Sequence, residues 1–158
     1  MLCWPPPNAL GYERIMEITR TALVLHPAHD MYQLVQDVAS YPAFLSWCVR
    51  AQVLEQTAEV QLARLEVSIG GLRQTFTTRN RLVPGELLTL SLVEGPFRHL
   101  AGEWQFDALA EKGSKVSLRL SFDFSGGLLS AAFRRGFARV ADKLVHDFSR
   151  RADQVYGV

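Results

Sequence analysis

From Met16 to Leu25 apolar residues alternate loosely (Met16, Ile18, Ala22, Val24), which predicts a first strand. Pro27 then opens a helix. Met31, Leu34, Val35 and Val38 recur at three- and four-residue spacing and give it one apolar face. Ser40-Tyr41-Pro42 is expected to end that helix, because the residue before a proline is biased away from helical geometry. A short apolar turn follows, Phe44-Leu45 with Trp47.

Beyond this turn the hydrophobic period changes to two. Val53 starts a strand; Val60 and Leu62 alternate, and Leu65, Val67 and Ile69 alternate in the opposite phase. That phase slip predicts a bulge near Ala63-Arg64. Gly70-Gly71 turns the chain into Leu72–Val83, and Pro84-Gly85 turns it again into Leu87–Val93. After Gly95-Pro96, Leu100, Gly102, Trp104, Phe106 and Ala108 share one face, and Lys112-Gly113 makes a further hairpin. Val116, Leu118, Leu120, Phe122 and Phe124 form the cleanest alternation, against Ser117, Arg119, Ser121 and Asp123. A long helix, roughly Leu128 to Tyr156, closes the chain with Leu129, Phe133, Phe137, Val140, Leu144, Phe148 and Val155 on its apolar stripe. The sum is an α+β domain: about seven antiparallel strands curved around the last helix, with a short helical segment after strand 1.

Composition narrows the class. At 158 residues, 48% hydrophobic and 21% charged, the chain fits one domain and buries a sizeable core without staples. A disordered chain, a collagen-like repeat and a disulfide scaffold are excluded. No apolar run approaches the roughly 18 residues of a membrane helix. Residues 1–15, with Pro5, Pro6 and Pro7, lack the pattern of a secretory signal and are expected to be a disordered leader before a domain spanning 16–158. Cys3 and Cys48 show no metal-binding spacing, which fits a reducing compartment; a cytoplasmic location is expected.

Several stretches carry a resemblance. Val38-Ala39-Ser40-Tyr41-Pro42-Ala43-Phe44-Leu45-Ser46-Trp47-Cys48 resembles the signature after the first helix in the START-like, coenzyme Q-binding and polyketide-cyclase-like families. Thr75–Asn80 (TFTTRN), Gly95–Trp104 (GPFRHLAGEW) and Arg151–Tyr156 (RADQVY) resemble the bacterial branch that contains ribosome-association toxins. The resemblance implies the helix-grip (START-like) fold, whose sheet leaves an elongated apolar cavity against the last helix. It implies two roles for this branch: binding ubiquinone or a related polyprenyl quinone in support of respiration, and a toxin-like block of ribosomal subunit joining with the 50S subunit as partner. An aromatase/cyclase role is a third. Ser46 stands where many relatives have proline, which bears on the turn at the pocket mouth.

The chemistry on offer is sparse. His26 and His29 stand three apart without the acidic residue of a metalloprotease motif, and all four histidines (with His99 and His146) are expected at the surface. Cys48 reads as a small buried hydrophobe and the glycine pairs as turns. No catalytic residue, metal or required cofactor is assigned, and the protein reads as non-enzymatic. The Leu72–Val83 strand carries Gln74, Phe76, Thr78 and Asn80 on one face, a mixture suited to a cavity wall with a few hydrogen-bonding groups; a partly exposed face would show the same mixture. Phe44, Trp47, Leu90, Phe97, Trp104, Phe106, Phe122, Phe133, Phe137 and Val140 complete the expected cavity, although most aromatics also serve as ordinary core.

Charge is unevenly placed. Residues 1–59 carry three basic and six acidic side chains, and residues 130–158 six basic and three acidic ones. Arg134, Arg135, Arg139 and Lys143, with Arg79 and Arg81, are candidate contacts for rRNA phosphates or for anionic lipid at the inner membrane surface; a solvated helix face has the same pattern. DNA is not an expected partner.

Overall fold

A computed structural model describes residues 15–110, 112–124 and 131–157. The expected leader falls almost wholly on residues 1–14, outside the described residues, as do Leu128 and Leu129 of the expected final helix. The elements in order are β1 (Met16–Val24), α1 (Ala28–Gln36), a 3₁₀ segment (Val38–Ala43), β2 (Cys48–Gln56), β3 (Val60–Ile69), β4 (Leu72–Val83), β5 (Leu87–Glu94), β6 (Phe97–Ala110), β7 (Gly113–Phe124) and α2 (Ala131–Tyr156).

The strands form one antiparallel sheet in the order β1-β7-β6-β5-β4-β3-β2. From β2 to β7 each strand pairs with the next as a meander, and β1 crosses to the far edge to pair with β7, Met16 opposite Phe122 and Val24 opposite Ser114. Helix α2 packs against both β1 and β3, which stand five places apart in the sheet. In a flat sheet they would be about 24 Å apart at the usual strand spacing, well beyond the roughly 10–12 Å width of one helix. The sheet therefore curls around α2. Across the middle strands large rings bridge the distance: Trp104 of β6 meets Phe148 edge-on at 5.3 Å, and Phe97 meets Phe137 at 5.0 Å.

The α2 stripe buries Phe133, Phe137, Ala141, Val145, Phe148 and Ala152 at spacings of three and four, as an amphipathic helix against a core requires. Val155, expected on that stripe, is exposed. At the other end α2 comes very close to the β3–β4 turn. A Cβ on Gly70, whose φ is +59°, would stand 2.7 Å from the Ala132 backbone, and one on Gly136 would stand 2.4 Å from Ile69 Cγ2.

Two local expectations need correction. Helix α1 ends at Gln36, earlier than expected, and Pro42 sits inside the 3₁₀ segment instead of stopping a helix. Its Tyr41 hydroxyl reaches back to donate to the Val35 carbonyl at 2.5 Å, which secures the tight turn. Strand β3 has no bulge near Ala63-Arg64: its register with β4 is unbroken from Val60 opposite Arg81 to Ile69 opposite Leu72. The inward positions are Gln61, Ala63, Leu65, Val67 and Ile69, with Gln61 wholly buried. The apparent slip arose because a glutamine occupies an inward site. The irregularities in this hairpin lie on β2, between Cys48 and Arg50 and between Val53 and Glu55.

Candidate functional site

Between the middle of the curled sheet and α2 lies a cavity of about 100 Å³. Ala63 and Leu65 (β3), Phe76, Thr78 and Asn80 (β4), Leu88 and Leu90 (β5), Leu100 and Trp104 (β6) and Leu120 (β7) form the sheet wall. Phe137, Val140, Ala141, Leu144 and Phe148 of α2 form the facing one, and Val38, Tyr41 and Trp47 complete the lining. None of these residues is Asp, Glu, Lys, Arg or His. A charged ligand would be buried here without a counter-charge, at a large desolvation cost, so the wall suits a neutral one. The resting volume is somewhat below the roughly 150 Å³ that holds a benzene ring in an apolar core. It is well below the roughly 300–1,000 Å³ of sites for drug-sized molecules. A long chain enters only if the wall parts.

The Thr78 and Asn80 side chains of the wall belong to one chain of hydrogen bonds. Gln61 Nε2 donates to the Gln36 carbonyl (2.8 Å) and to Gln56 Oε1 (3.0 Å), so its own Oε1 is left to accept. Asn80 Nδ2 donates to that oxygen at 2.8 Å, and the Thr78 hydroxyl donates to Asn80 Oδ1 at 2.9 Å. The order of donors fixes both amide orientations. It also gives the carbonyl of Gln36, the last residue of α1, a partner that the helix itself cannot supply. Tyr41, engaged with Val35, has its phenol pushed well above the ordinary range, first by burial and then by the nearby Cys48 and Asp37.

The structure brings Trp47, Phe76, Thr78, Leu90, Trp104, Phe137 and Val140 together on the cavity wall. It separates the others. Phe97 packs behind the wall on Phe76 and Phe137, Phe106 stacks on Trp104, and Phe122 and Phe133 are wholly buried core rings against Phe137. Gln74 is half-buried on β4 and does not line the cavity. Phe44 packs edge-on against Tyr41 and Phe148 and carries the Arg151 guanidinium over its ring at 4.9 Å, backing the wall instead of lining it. Ala63 escapes the pattern because the expected bulge falls on it, and Leu65, on the face the alternation marks as apolar, carries nothing that sets a cavity position apart from a core one. Sequence reasoning passed over Leu88, Leu100, Leu120, Leu144 and Phe148 because nothing local distinguishes a cavity leucine from a core one.

Other expectations divide in the same way. His26 is buried, its Nε2 2.7 Å from Asp153 Oδ1, and His99 lies within β6, half-buried with Nε2 2.5 Å from the Ser121 hydroxyl; neither is a surface residue. Burial holds His99 below the ordinary histidine range, opposed by Asp123. His29 and His146 are exposed as expected. Cys48 is buried, and its thiol is pushed up to about 11 by desolvation, against a backbone hydrogen bond to Arg50 that lowers it. The basic residues fall on two faces. Arg135, Arg139 and Lys143 are exposed on α2, with Arg134 half-buried over the Phe124 ring, whereas Arg79 and Arg81 alternate with Thr78 and Asn80 and so project from the convex side of the sheet. Among the described residues no cluster of three or more His, Cys, Asp or Glu could hold a metal, and no helix is long and apolar enough to cross a membrane.

A seven-stranded antiparallel sheet curled over a long carboxy-terminal helix, with an apolar cavity between them, defines the helix-grip class. The chain belongs to the polyketide cyclase / dehydrase and lipid transport family, whose model matches residues 24–149. It is 46% identical over 140 residues to the ribosome association toxin RatA of Pseudomonas aeruginosa, covering 89% of this chain and 97% of that one. It is 28% identical over 152 residues to the mitochondrial coenzyme Q-binding protein COQ10 homolog B of Xenopus laevis, covering 94% of this chain and 62% of that protein. Among solved structures, the Zhui aromatase/cyclase from Streptomyces sp. R1128 superposes with a TM-score of 0.75 at 23% identity, covering 90% of this chain and 98% of that one, a likeness of fold.

Proposed function

We propose that the protein binds a neutral apolar ligand, a polyprenyl quinone such as ubiquinone or a similar lipid, in the cavity between sheet and α2, acting as a carrier or chaperone without catalysing a reaction on it. The observation that carries this reading is the cavity wall itself: mostly aromatic and aliphatic, and free of ionisable side chains apart from the Tyr41 phenol. Burying apolar ligand surface there contributes roughly 0.8 kcal/mol per CH₂, without any need for a charged anchor. The likeness to a coenzyme Q-binding protein supports a quinone as the ligand. Mass spectrometry of an organic extract of the purified protein is the test. An isoprenoid quinone or another long apolar lipid is the expected finding; an empty extract together with no saturable uptake of decylubiquinone would overturn the reading.

A second reading is association with a ribosomal subunit, the 50S particle in particular, as an inhibitor of subunit joining. It is favoured by the RatA relative, which matches along nearly its whole length, and by the exposed Arg135, Arg139 and Lys143 on α2. The same basic face would serve for transient contact with an anionic membrane surface during lipid delivery.

A further inference from the structure

The hydrogen-bond donors on the cavity wall are few, and their partners can be followed one by one. Tyr41 donates its hydroxyl hydrogen to the Val35 carbonyl. Thr78 donates its single hydrogen to Asn80 Oδ1, and Asn80 commits one of its two amide hydrogens to Gln61. Trp47 is different. Its indole Nε1 is buried and has no hydrogen-bond partner, the one such side-chain nitrogen or oxygen among the described residues. The position of Trp47 is well held, since its carbonyl accepts from the Ser68 amide at 2.9 Å and its neighbour Cys48 begins β2. A buried donor left unpaired costs stability, and native structures pair almost all of theirs. An indole N–H can only donate. The group that completes it must be an acceptor, and the uncharged wall makes a neutral oxygen the fitting one.

We infer that Trp47 is the specificity-determining residue of the cavity: its Nε1–H donates to a carbonyl oxygen of the bound ligand, so that the site distinguishes an apolar molecule bearing a ketone, quinone or ester from a plain hydrocarbon. The inference rests on the cavity being a ligand site. Thr78 cannot take this role, because its hydrogen is already engaged and its oxygen can only accept. Asn80 keeps a second amide hydrogen, but its nitrogen already has a partner in Gln61, whereas Trp47 Nε1 has none, so the turn before β2 and not the β4 face receives the ligand carbonyl.

The test uses two small probes with one carbon skeleton, butyrophenone and butylbenzene, which differ by a carbonyl in place of a CH₂. Affinities for wild-type protein and for Trp47→Phe are measured by calorimetry. The variant is expected to bind butyrophenone about two- to tenfold more weakly, the range of one net hydrogen bond, while butylbenzene changes by less than twofold. Equal losses for both probes, or no loss for the ketone, would overturn the inference and leave the cavity reading standing. Failure of wild-type protein to bind either probe would overturn both. A second measurement needs no variant in the binding assay. The Trp47 Nε1–H proton resonance is expected to move downfield on adding butyrophenone and to stay within the general ring-current change on adding butylbenzene; the same response to both probes counts against the inference.

Discussion

Gln61 shows how one side chain joins three elements. Wholly buried on β3, it donates to the end of α1 through the Gln36 carbonyl and to Gln56 at the end of β2, and it receives Asn80 from β4. Replacing it with leucine keeps an apolar body of similar length but strands the Gln36 carbonyl and one Asn80 amide hydrogen in a dry interior. Each buried polar group left without a partner costs about 1–3 kcal/mol. Gln61→Leu is therefore expected to destabilise the protein by about 2 kcal/mol or more in urea unfolding, despite its greater hydrophobicity. An unchanged midpoint would show that the network contributes little. Sequence patterning did not reveal this residue, because alternation counts apolar positions and a glutamine in an inward site looks like a break in phase.

At the scale of elements, the contact between α2 and the β3–β4 turn decides how the helix enters the sheet. Alanine at position 136 would favour the helix by up to about 1 kcal/mol. Its methyl carbon would, however, stand 2.4 Å from Ile69 Cγ2, on a buried β-branched side chain with little freedom to move. Overpacking of this kind costs about 1–3 kcal/mol, so the clash outweighs the propensity. Gly136→Ala is expected to lower the melting temperature by a few degrees, on the scale of about 2–4 °C per kcal/mol for a chain of this size. In an Ile69→Ala background the obstructing methyl is absent, and the same change should be neutral or stabilising. Additive effects of the two substitutions would contradict the packing argument. The strands themselves were legible in sequence: the period-two run from Val116 to Phe124 is β7, and Leu72–Val83 is β4 to the residue. The helix contact was not, because Gly136 has no side chain to mark it in a pattern.

For the whole molecule, the two readings of function occupy different surfaces and can be separated. Val140 and Leu144 of α2 face the cavity, while Arg139 and Lys143 on the same helix face solvent. Changing Arg134, Arg135, Arg139 and Lys143 together to Gln is expected to leave decylubiquinone uptake intact. The same change should abolish any co-sedimentation with ribosomal subunits, since phosphate contacts dominate nucleic-acid affinity and its salt dependence. Phe76→Asp should do the reverse, by placing an unpaired carboxylate on the apolar wall; its circular dichroism must match wild type before uptake is compared. If the quadruple variant lost lipid uptake while remaining folded, the two surfaces would not be independent.

Local pattern by itself determined which segments are strands and which is the long final helix, which face of β6 and β7 turns inward, and that the result is a sheet gripping that helix. These follow from short-range periodicity: side chains alternate along a strand and recur every three or four residues on a helix. Tertiary structure alone decided the rest. His26 is buried because Asp153, 127 residues later, reaches it. Arg79 and Arg81 part from the α2 cations because the sheet lies between them. The curvature that carries β1 and β3 to one helix decides which of many similar aromatic and aliphatic residues surround space and which fill it, and no interval along the chain encodes that distance.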